Sequence, residues 1–407
     1  MPESYTSHFG INNIPYGIAS SSSRPKPQAV TRIADTVIFL SELASTPAFQ
    51  SISKDLVSTF LQPTLNTFAA LPKPLQSQVR SAIQNAYTSS QHTDFSEDIS
   101  NVTLHMPVQI GDFTDYSASV NHVLNASEAI TGTRSQPPAY HKYPVGYAGR
   151  CSSITLAPTS VVRPLGQFVE SYAAPEKNII FGASRGLDYE LEVGAVIGTP
   201  VAAGTYLRAA DADAHIFGLV LVNDWSARDI QALEMNPLGP FNGKNFRTSI
   251  SPWIVTLEAL EPFKVVAPER MARVADFMDD AQAPNYRIEL EGRIVRGGRG
   301  TTTCRVGFET MYWTFRHMLA HHTVGGCDLR TGDLIASGTV SGEKEHEHGC
   351  LMELTFNGKR PSKLSDGSEL RYLEDGDEVI YTGIVGDASD GIGFGDCGGV
   401  IKPAPKV

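Results

Sequence analysis

Long apolar runs are missing from this sequence. No stretch of about 18 apolar residues occurs, which excludes a membrane-spanning helix. The opening Met-Pro-Glu-Ser-Tyr-Thr-Ser-His lacks the charged and apolar regions of a signal peptide. Positive charge is also scarce: 33 Lys and Arg stand against 44 Asp and Glu, for a net charge of −11. The nearest basic stretches, Arg293 to Arg299 and Lys359-Arg360, are short. A nucleic-acid surface needs clustered cations, so that partner is not expected, and neither is a membrane. The five cysteines, Cys151, Cys304, Cys327, Cys350 and Cys397, are odd in number, and no two fall at metal-ligand spacing. They read as free thiols in a reducing compartment, which makes the cytoplasm the expected location.

What is present is an ordinary globular composition, 41% hydrophobic over 407 residues, a length that suits two domains. Residues 18–30, rich in Ser, Pro and Ala, read as a turn or loop, and residues 31–40 as a strand or short helix. From Thr46 to Tyr87 apolar residues recur at helical spacing, and Pro72 and Pro74 are expected to split the run into two helices. The polar stretch Ser89 to Ser100 precedes a boundary, dividing residues 1–107 from 108–407. Beyond it come short strands with Gly and Pro turns, and helical patches at 115–127, 225–235 and 308–322. That density of strands predicts a mainly β chain, a sandwich or roll, and not a doubly wound sheet.

Three segments carry chemistry. In Leu187-Asp-Tyr-Glu-Leu-Glu-Val-Gly-Ala-Val-Ile197, strand alternation puts Glu190 and Glu192 on one face and Tyr189, Leu191 and Val193 on the other. Two adjacent carboxylates on a half-buried strand need compensation, and a hard cation is the simplest; a solvated strand face is the plain alternative. In the second segment, the apolar strand Ile216 to Val222 runs into Asn-Asp-Trp-Ser-Ala-Arg-Asp-Ile-Gln231, where Asp224, Arg228 and Gln231 are spaced to share a helical face. An exposed helix with an ion pair is the competing reading. The third is Gly111-Asp-Phe-Thr-Asp-Tyr-Ser-Ala-Ser-Val-Asn-His122, where Thr114 is a plausible N-cap and Asp115 and His122 lie two helical turns apart.

Together with Pro144 to Ser153, Pro237 to Lys244, Ser249 to Trp253, Ala336 to Gly342 and the opening Asn13-Ile-Pro-Tyr-Gly-Ile18, these segments resemble fumarylacetoacetase, in order and over nearly the whole chain. The resemblance implies an SH3-like N-terminal β domain, a C-terminal mixed β-sandwich roll holding the active site, and a homodimer. It implies Asp115, Glu190, Glu192 and Asp224 as metal ligands, with Lys244 and Thr248 as second contacts to the metal region. It implies His122 as general base with Glu353 orienting it, and Arg228, Gln231 and Lys244 around the scissile carbonyl. Tyr147 and Thr339 correspond to substrate contacts. Four carboxylates without His or Cys select Mg2+ or Ca2+, with Mn2+ also compatible, over Zn2+. The expected reaction is hydrolysis of a carbon–carbon bond in a small diketo acid or diketone, by water activated at His122, with the leaving group held as an enolate at the metal. Decarboxylation or tautomerisation through the same chemistry is the alternative.

Three positions depart from the family pattern. Ser117 and Met235 stand where an aromatic is expected, usually tyrosine, and Thr131 where an arginine grips a substrate carboxylate. All three belong to substrate recognition, so the expectation is retained chemistry on a changed, more apolar diketone. Arg134, in an atypical loop, is a candidate replacement for the arginine. Gly182-Ala-Ser-Arg-Gly186 fits a nucleophile-elbow pattern at Ser184, but the strand-like sequence after it is not the helix an elbow requires. Glu343-Lys-Glu-His-Glu-His348 reads as a solvated loop, and the glycines of 391–395 as tight turns. A non-catalytic scaffold would have no physical need for the ligand set, His122, Glu353 and Lys244 together.

Overall fold

The computed structural model describes residues 6–387 and 391–406. Near the N-terminus, β1 (Tyr16–Ser21), β2 (Gln28–Ile33), β3 (Thr36–Phe39), β4 (Ser96–Asp98) and β5 (Val102–His105) form an antiparallel sheet ordered β4-β3-β2-β1-β5. Residues 18–30 are therefore not one loop. Ile18 pairs with Ala29 across the β1–β2 hairpin, both buried, and only the tip between the strands is a turn. Residues 31–40 are strand as far as Phe39, interrupted by a tight turn at Ala34, with φ of 51°.

The helical run from 46 to 87 yields one long helix, α1 (Lys73–Thr88), which starts directly after Pro72 with Pro74 in its first turn. That is where proline costs a helix nothing. The earlier half breaks into short pieces such as Lys54–Ser58 and Asn66–Ala69, with Pro63 between them. The apolar face of α1, Val79, Ala82, Ile83 and Ala86, is buried.

The larger part of the chain carries, among the described residues, four two-stranded sheets and two large ones. The one that builds the site contains β6 (Phe113–Tyr116), β7 (Gly146–Gly149), β8 (Ile154–Leu156), β9 (Leu191–Ile197), β10 (Ile216–Asp224), β11 (Thr248–Ile250) and β12 (Leu334–Ala336). They run in the order β7-β6-β12-β9-β10-β11-β8, with β12–β6 and β11–β8 parallel and the remaining pairs antiparallel. A second sheet, through Arg299–Gly307, Glu289–Arg296, Glu378–Val385, Cys397–Lys402 and Thr159–Val162, packs against it.

Every residue of β9 and β10 is buried, because both faces of the central sheet are covered. Leu191, Val193, Leu219 and Leu221 face the second sheet, among Leu290, Ile294 and Val379. Val196, Val220 and Val222 face the other way, joining Phe68, Val79 and Ile83 of the N-terminal part in a separate core. The period-2 alternation of strands thus sorts one sheet's residues into two cores. The fold is mainly β, as expected. Among the described residues no helix is long and apolar enough to cross a membrane, and all five cysteines are free.

Candidate active site and metal centre

The alternation that feeds the two cores also aims the carboxylates. Glu190 and Glu192 continue the Val196 face of β9, Asp224 continues the Val220–Val222 face at the end of β10, and Asp115 lies on β6 two residues after buried Phe113. Between β6 and β9, β12 contributes Ala336, paired with both Asp115 and Gly194. Four acidic side chains, three from strands and Glu190 from the residue just before β9, therefore converge, all buried, with ligand atoms within 4.8 Å of one another. The solvated-face reading of Glu190 and Glu192 is excluded, since Glu192 is 0% exposed.

Two placements differ from the sequence reading. Asp115 and His122 do not share a helix: Asp115 is on β6, and α2 (Val120–Thr131) begins after Ser119. Ser119, not Thr114, is the N-cap, its Oγ accepting His122 N–H at 3.2 Å. Likewise Asp224 ends a strand, and α3 starts only at Arg228 (Arg228–Glu234). Arg228 does not form the i,i+4 pair with Asp224; it pairs with Asp188 at 2.8 Å and Glu190 at 2.7 Å. Helical spacing misread both because the strand-to-helix junction falls inside each segment.

Lys244 donates to Glu190 and to Asp224 at 2.5 and 2.7 Å, and Thr248, opposite Asp224 on β11, donates to its Oδ1 at 2.7 Å. Both side chains thus meet the carboxylates. The Lys244 ammonium, which has donors and no lone pair, is a counter-charge and not a ligand. Tyr147 donates its hydroxyl proton to Asp224 at 3.0 Å. Gln231 Oε1 accepts from Arg228 at 3.2 Å.

The electrostatics are divided. Burial, then Asp224, holds Asp115 well above the usual carboxylate range. Burial, then Asp115 and Glu190, does the same to Glu192. Burial opposes the charge of Glu190 too, yet Lys244 and Arg228 pull it below the ordinary range. Lys244 stays protonated, since Asp224 and Glu190 outweigh its burial. Both carboxylate oxygens of Glu192 and Oδ1 of Asp115 are buried without any hydrogen-bond partner. Orphaned acceptors in a four-carboxylate cluster are costly, and a divalent, oxygen-loving cation is the group that satisfies them. The residues present fit such an ion.

Beside this cluster lies a dyad. His122 Nδ1 is 2.7 Å from Glu353 Oε1. Since a carboxylate only accepts, Nδ1 carries the proton and Nε2 keeps its lone pair. Glu353 is buried on the short helix α4 (Leu351–Leu354). Its burial disfavours charge, but the neighbouring His122, His348 and the Ser341 hydroxyl more than offset that and hold it below the usual range. The dyad is tied to the acidic cluster through Asp188, which accepts Leu351 and Met352 N–H of α4 and pairs with Arg228, itself 2.7 Å from Glu190.

Sequence reading missed Asp188, although it stands inside the quoted Leu187 to Glu192 motif. Fully buried, it accepts Leu351 and Met352 N–H at 2.7 and 2.9 Å and Arg228 Nε at 2.8 Å, so it anchors both α4 and Arg228. Ser341, which donates to Glu353 at 2.7 Å, was missed as well. Gly338, with φ of +75°, lets the chain after β12 pass the Tyr116 carbonyl where a Cβ would lie at 2.0 Å. This delivers Thr339, buried with an unpartnered hydroxyl, and Ser341.

The three departing positions fall on different segments. Ser117 is half-buried, its backbone bonded to Val145 and Tyr140. Thr131 is exposed at the end of α2, its hydroxyl donating to Ser127 O at 2.8 Å. Met235, 52% exposed, follows α3, with its sulfur 3.7 Å from Gln231 Nε2. Ser184 donates to Asp229 at 2.6 Å and is followed by the strand Leu187-Asp188, so no nucleophile elbow forms. His346 is 69% exposed on its side chain, in keeping with a solvated loop.

Comparison with known proteins gives a consistent picture. Residues 110–398 match the family model of the fumarylacetoacetate hydrolase C-terminal region, and residues 12–107 that of the fumarylacetoacetase N-terminal region. The chain is 40% identical to a fumarylacetoacetase of Arabidopsis thaliana, covering 98% of this chain and 97% of that one. It is 41% identical to fumarylacetoacetase fahA of Aspergillus fumigatus (98% and 97%), and 37% identical to a fumarylacetoacetase of Homo sapiens (99% and 98%). A solved fumarylacetoacetate hydrolase from Exiguobacterium antarcticum shares the fold with a TM-score of 0.53 at 17% identity, over 96% of this chain and 99% of that one. This chain belongs to the fumarylacetoacetate hydrolase family.

Proposed function

We propose that this protein is a hydrolase that cleaves a carbon–carbon bond in a 1,3-diketone or acylpyruvate-type compound. The class of reaction follows from family membership over the full chain. The observation that carries the mechanism is the 2.7 Å His122–Glu353 pair set beside the four-carboxylate cluster. Glu353 fixes the tautomer of His122, and Nε2 takes a proton from water as its oxygen adds to the carbonyl carbon. The carbon–carbon bond then breaks, its electron pair leaving with the second carbonyl fragment, and Nε2–H supplies the proton that fragment needs. The products are a carboxylic acid and a ketone.

Asp115, Glu190, Glu192 and Asp224 would hold Mg2+ or Ca2+, with Mn2+ also suited to the all-oxygen donor set. Such a cation supplies Lewis-acid polarisation of a diketone's oxygens. Lys244, paired with Glu190 and Asp224, and Arg228, shared between Glu190 and Asp188, offset the negative charge that the carboxylates leave beyond a divalent ion. Gln231 and Lys244 are the donors for developing oxyanion charge, each a contribution of about 3 kcal/mol. Tyr147 and Thr339 line the substrate side.

Ser117, Thr131 and Met235 point to a substrate other than fumarylacetoacetate, one that relies less on a gripped carboxylate. An activated water favours hydrolysis over decarboxylation or tautomerisation. We further propose division near residues 107/108, a homodimer and a cytoplasmic location. The test is turnover of fumarylacetoacetate, a simple acylpyruvate and a diketone lacking a carboxylate, with Mg2+ and with chelator. Metal-dependent cleavage of at least one is expected. Silence on all three, with metal bound, would overturn the hydrolase reading.

A further inference from the structure

Asn125 lies one turn beyond His122 on α2 and is buried, 7% exposed. Its Nδ2 donates to Glu353 Oε2 at 2.9 Å, while Oε1 of the same carboxylate receives His122 Nδ1 and Ser341 Oγ at 2.7 Å and Cys350 Sγ at 3.3 Å. His122 and Asn125, at i and i+3 of one helix, therefore hold opposite oxygens of one carboxylate. A carboxylate held on one oxygen alone can pivot; held on both from one helix, its plane is fixed relative to the imidazole.

The amide is itself oriented. Asn125 Oδ1 accepts Arg134 Nη1 at 2.7 Å. A guanidinium only donates and a carboxylate only accepts, so these two neighbours leave one orientation: oxygen toward Arg134, NH2 toward Glu353. Arg134 sits on the loop after α2, with a side chain 44% exposed and a weaker contact to Glu128 at 3.4 Å. The far end of that loop is clamped by Tyr140, whose hydroxyl donates to Ser117 O at 2.9 Å and whose carbonyl accepts Trp313 Nε1 at 3.1 Å.

We propose that Asn125 and Arg134 are positioning residues for the His122–Glu353 dyad: Arg134 sets the Asn125 amide, and Asn125 sets the Glu353 carboxylate. This rests on the reading of His122 as the general base. It assigns Arg134 to the dyad and not to the substrate.

The test uses the full chain loaded with Mg2+, in Asn125→Ala, Arg134→Met, Arg134→Lys and the Asn125→Ala/Arg134→Met double variant. Asn125→Ala should lower kcat by about 10-fold or more, within the order of 10²-fold that misplacing a catalytic group costs, with KM nearly unchanged. Arg134→Met should lower kcat less, Arg134→Lys should recover most of it, and the double variant should be no worse than Asn125→Ala alone. Additive losses, or an Arg134 effect confined to KM, would overturn the relay; the latter would make Arg134 a substrate contact. A second readout is independent of turnover. The downfield proton resonance of His122 Nδ1–H, assigned by its disappearance in His122→Gln, should broaden in Asn125→Ala and Arg134→Met and return in Arg134→Lys. An unchanged resonance rules the relay out even if no diketone is turned over, and a broadened one keeps it while the hydrolase reading fails.

Discussion

At the scale of single residues, the dyad and the abandoned nucleophile make opposite predictions. His122→Gln removes the lone pair that takes the proton, and kcat should fall by about 10² to 10⁴-fold, the usual worth of a general base. Mg2+ affinity measured by calorimetry should stay close to wild type, because the four ligand carboxylates are untouched. A parallel collapse of metal binding would mean that His122 serves the cation and not the water. Ser184 answers the rival directly. Its hydroxyl is committed to Asp229 at 2.6 Å. Ser184→Ala should cost about 1 kcal/mol of stability and leave kcat intact. Loss of turnover at unchanged stability would restore a serine mechanism.

At the scale of elements, two of the three departures from the family sit at the ends of helices. Thr131 closes α2 and Met235 follows α3, both exposed. Neither is held in a core, so Thr131→Arg and Met235→Tyr can be made without a packing penalty. Together they should raise kcat/KM on fumarylacetoacetate, chiefly through KM, because a guanidinium pairs with a carboxylate by two charge-assisted bonds. No gain on that substrate would sink the idea that these positions retargeted the enzyme. The same elements explain what was legible. Glu190 and Glu192 could be read from residues alone, since strand alternation is local. The apolar run into Asp224 gave the strand, and the ordered motifs gave the family and its mainly β fold. The positions of Asp115 and Asp224 on strands could not be read from helical spacing, because both segments cross a strand-to-helix junction. Asp188, Asn125 and Ser341 escaped for another reason. Their partners are 163, 228 and 12 positions away in sequence, and a buried hydrogen bond leaves no periodic trace.

At the scale of the whole molecule, the acidic cluster ties stability to pH and to the cation. Asp115 and Glu192 are held well above their ordinary values, by burial first and by neighbouring carboxylates second. Without a cation the folded chain therefore keeps protons that the unfolded chain releases. The sign follows from linkage: this stabilisation is fully present below the unfolded carboxylate pKa of about 4 and is lost as pH rises through the raised folded values. A divalent cation binds the ionised folded form, releases those protons and restores the loss. The expected outcome is a rise in Tm on adding Mg2+ or Ca2+ that is larger at pH 8 than at pH 6. It should correspond to about 2.7 kcal/mol when the ion is at 100 times its Kd, and chelator should reverse it. Glu192→Gln removes one raised carboxyl and one ligand together. The chelated variant should therefore be more stable than chelated wild type at pH 8 and should gain less from the cation. Equal cation-induced shifts at both pH values, with proton release absent from calorimetry, would mean that the four carboxylates are not where the ion binds.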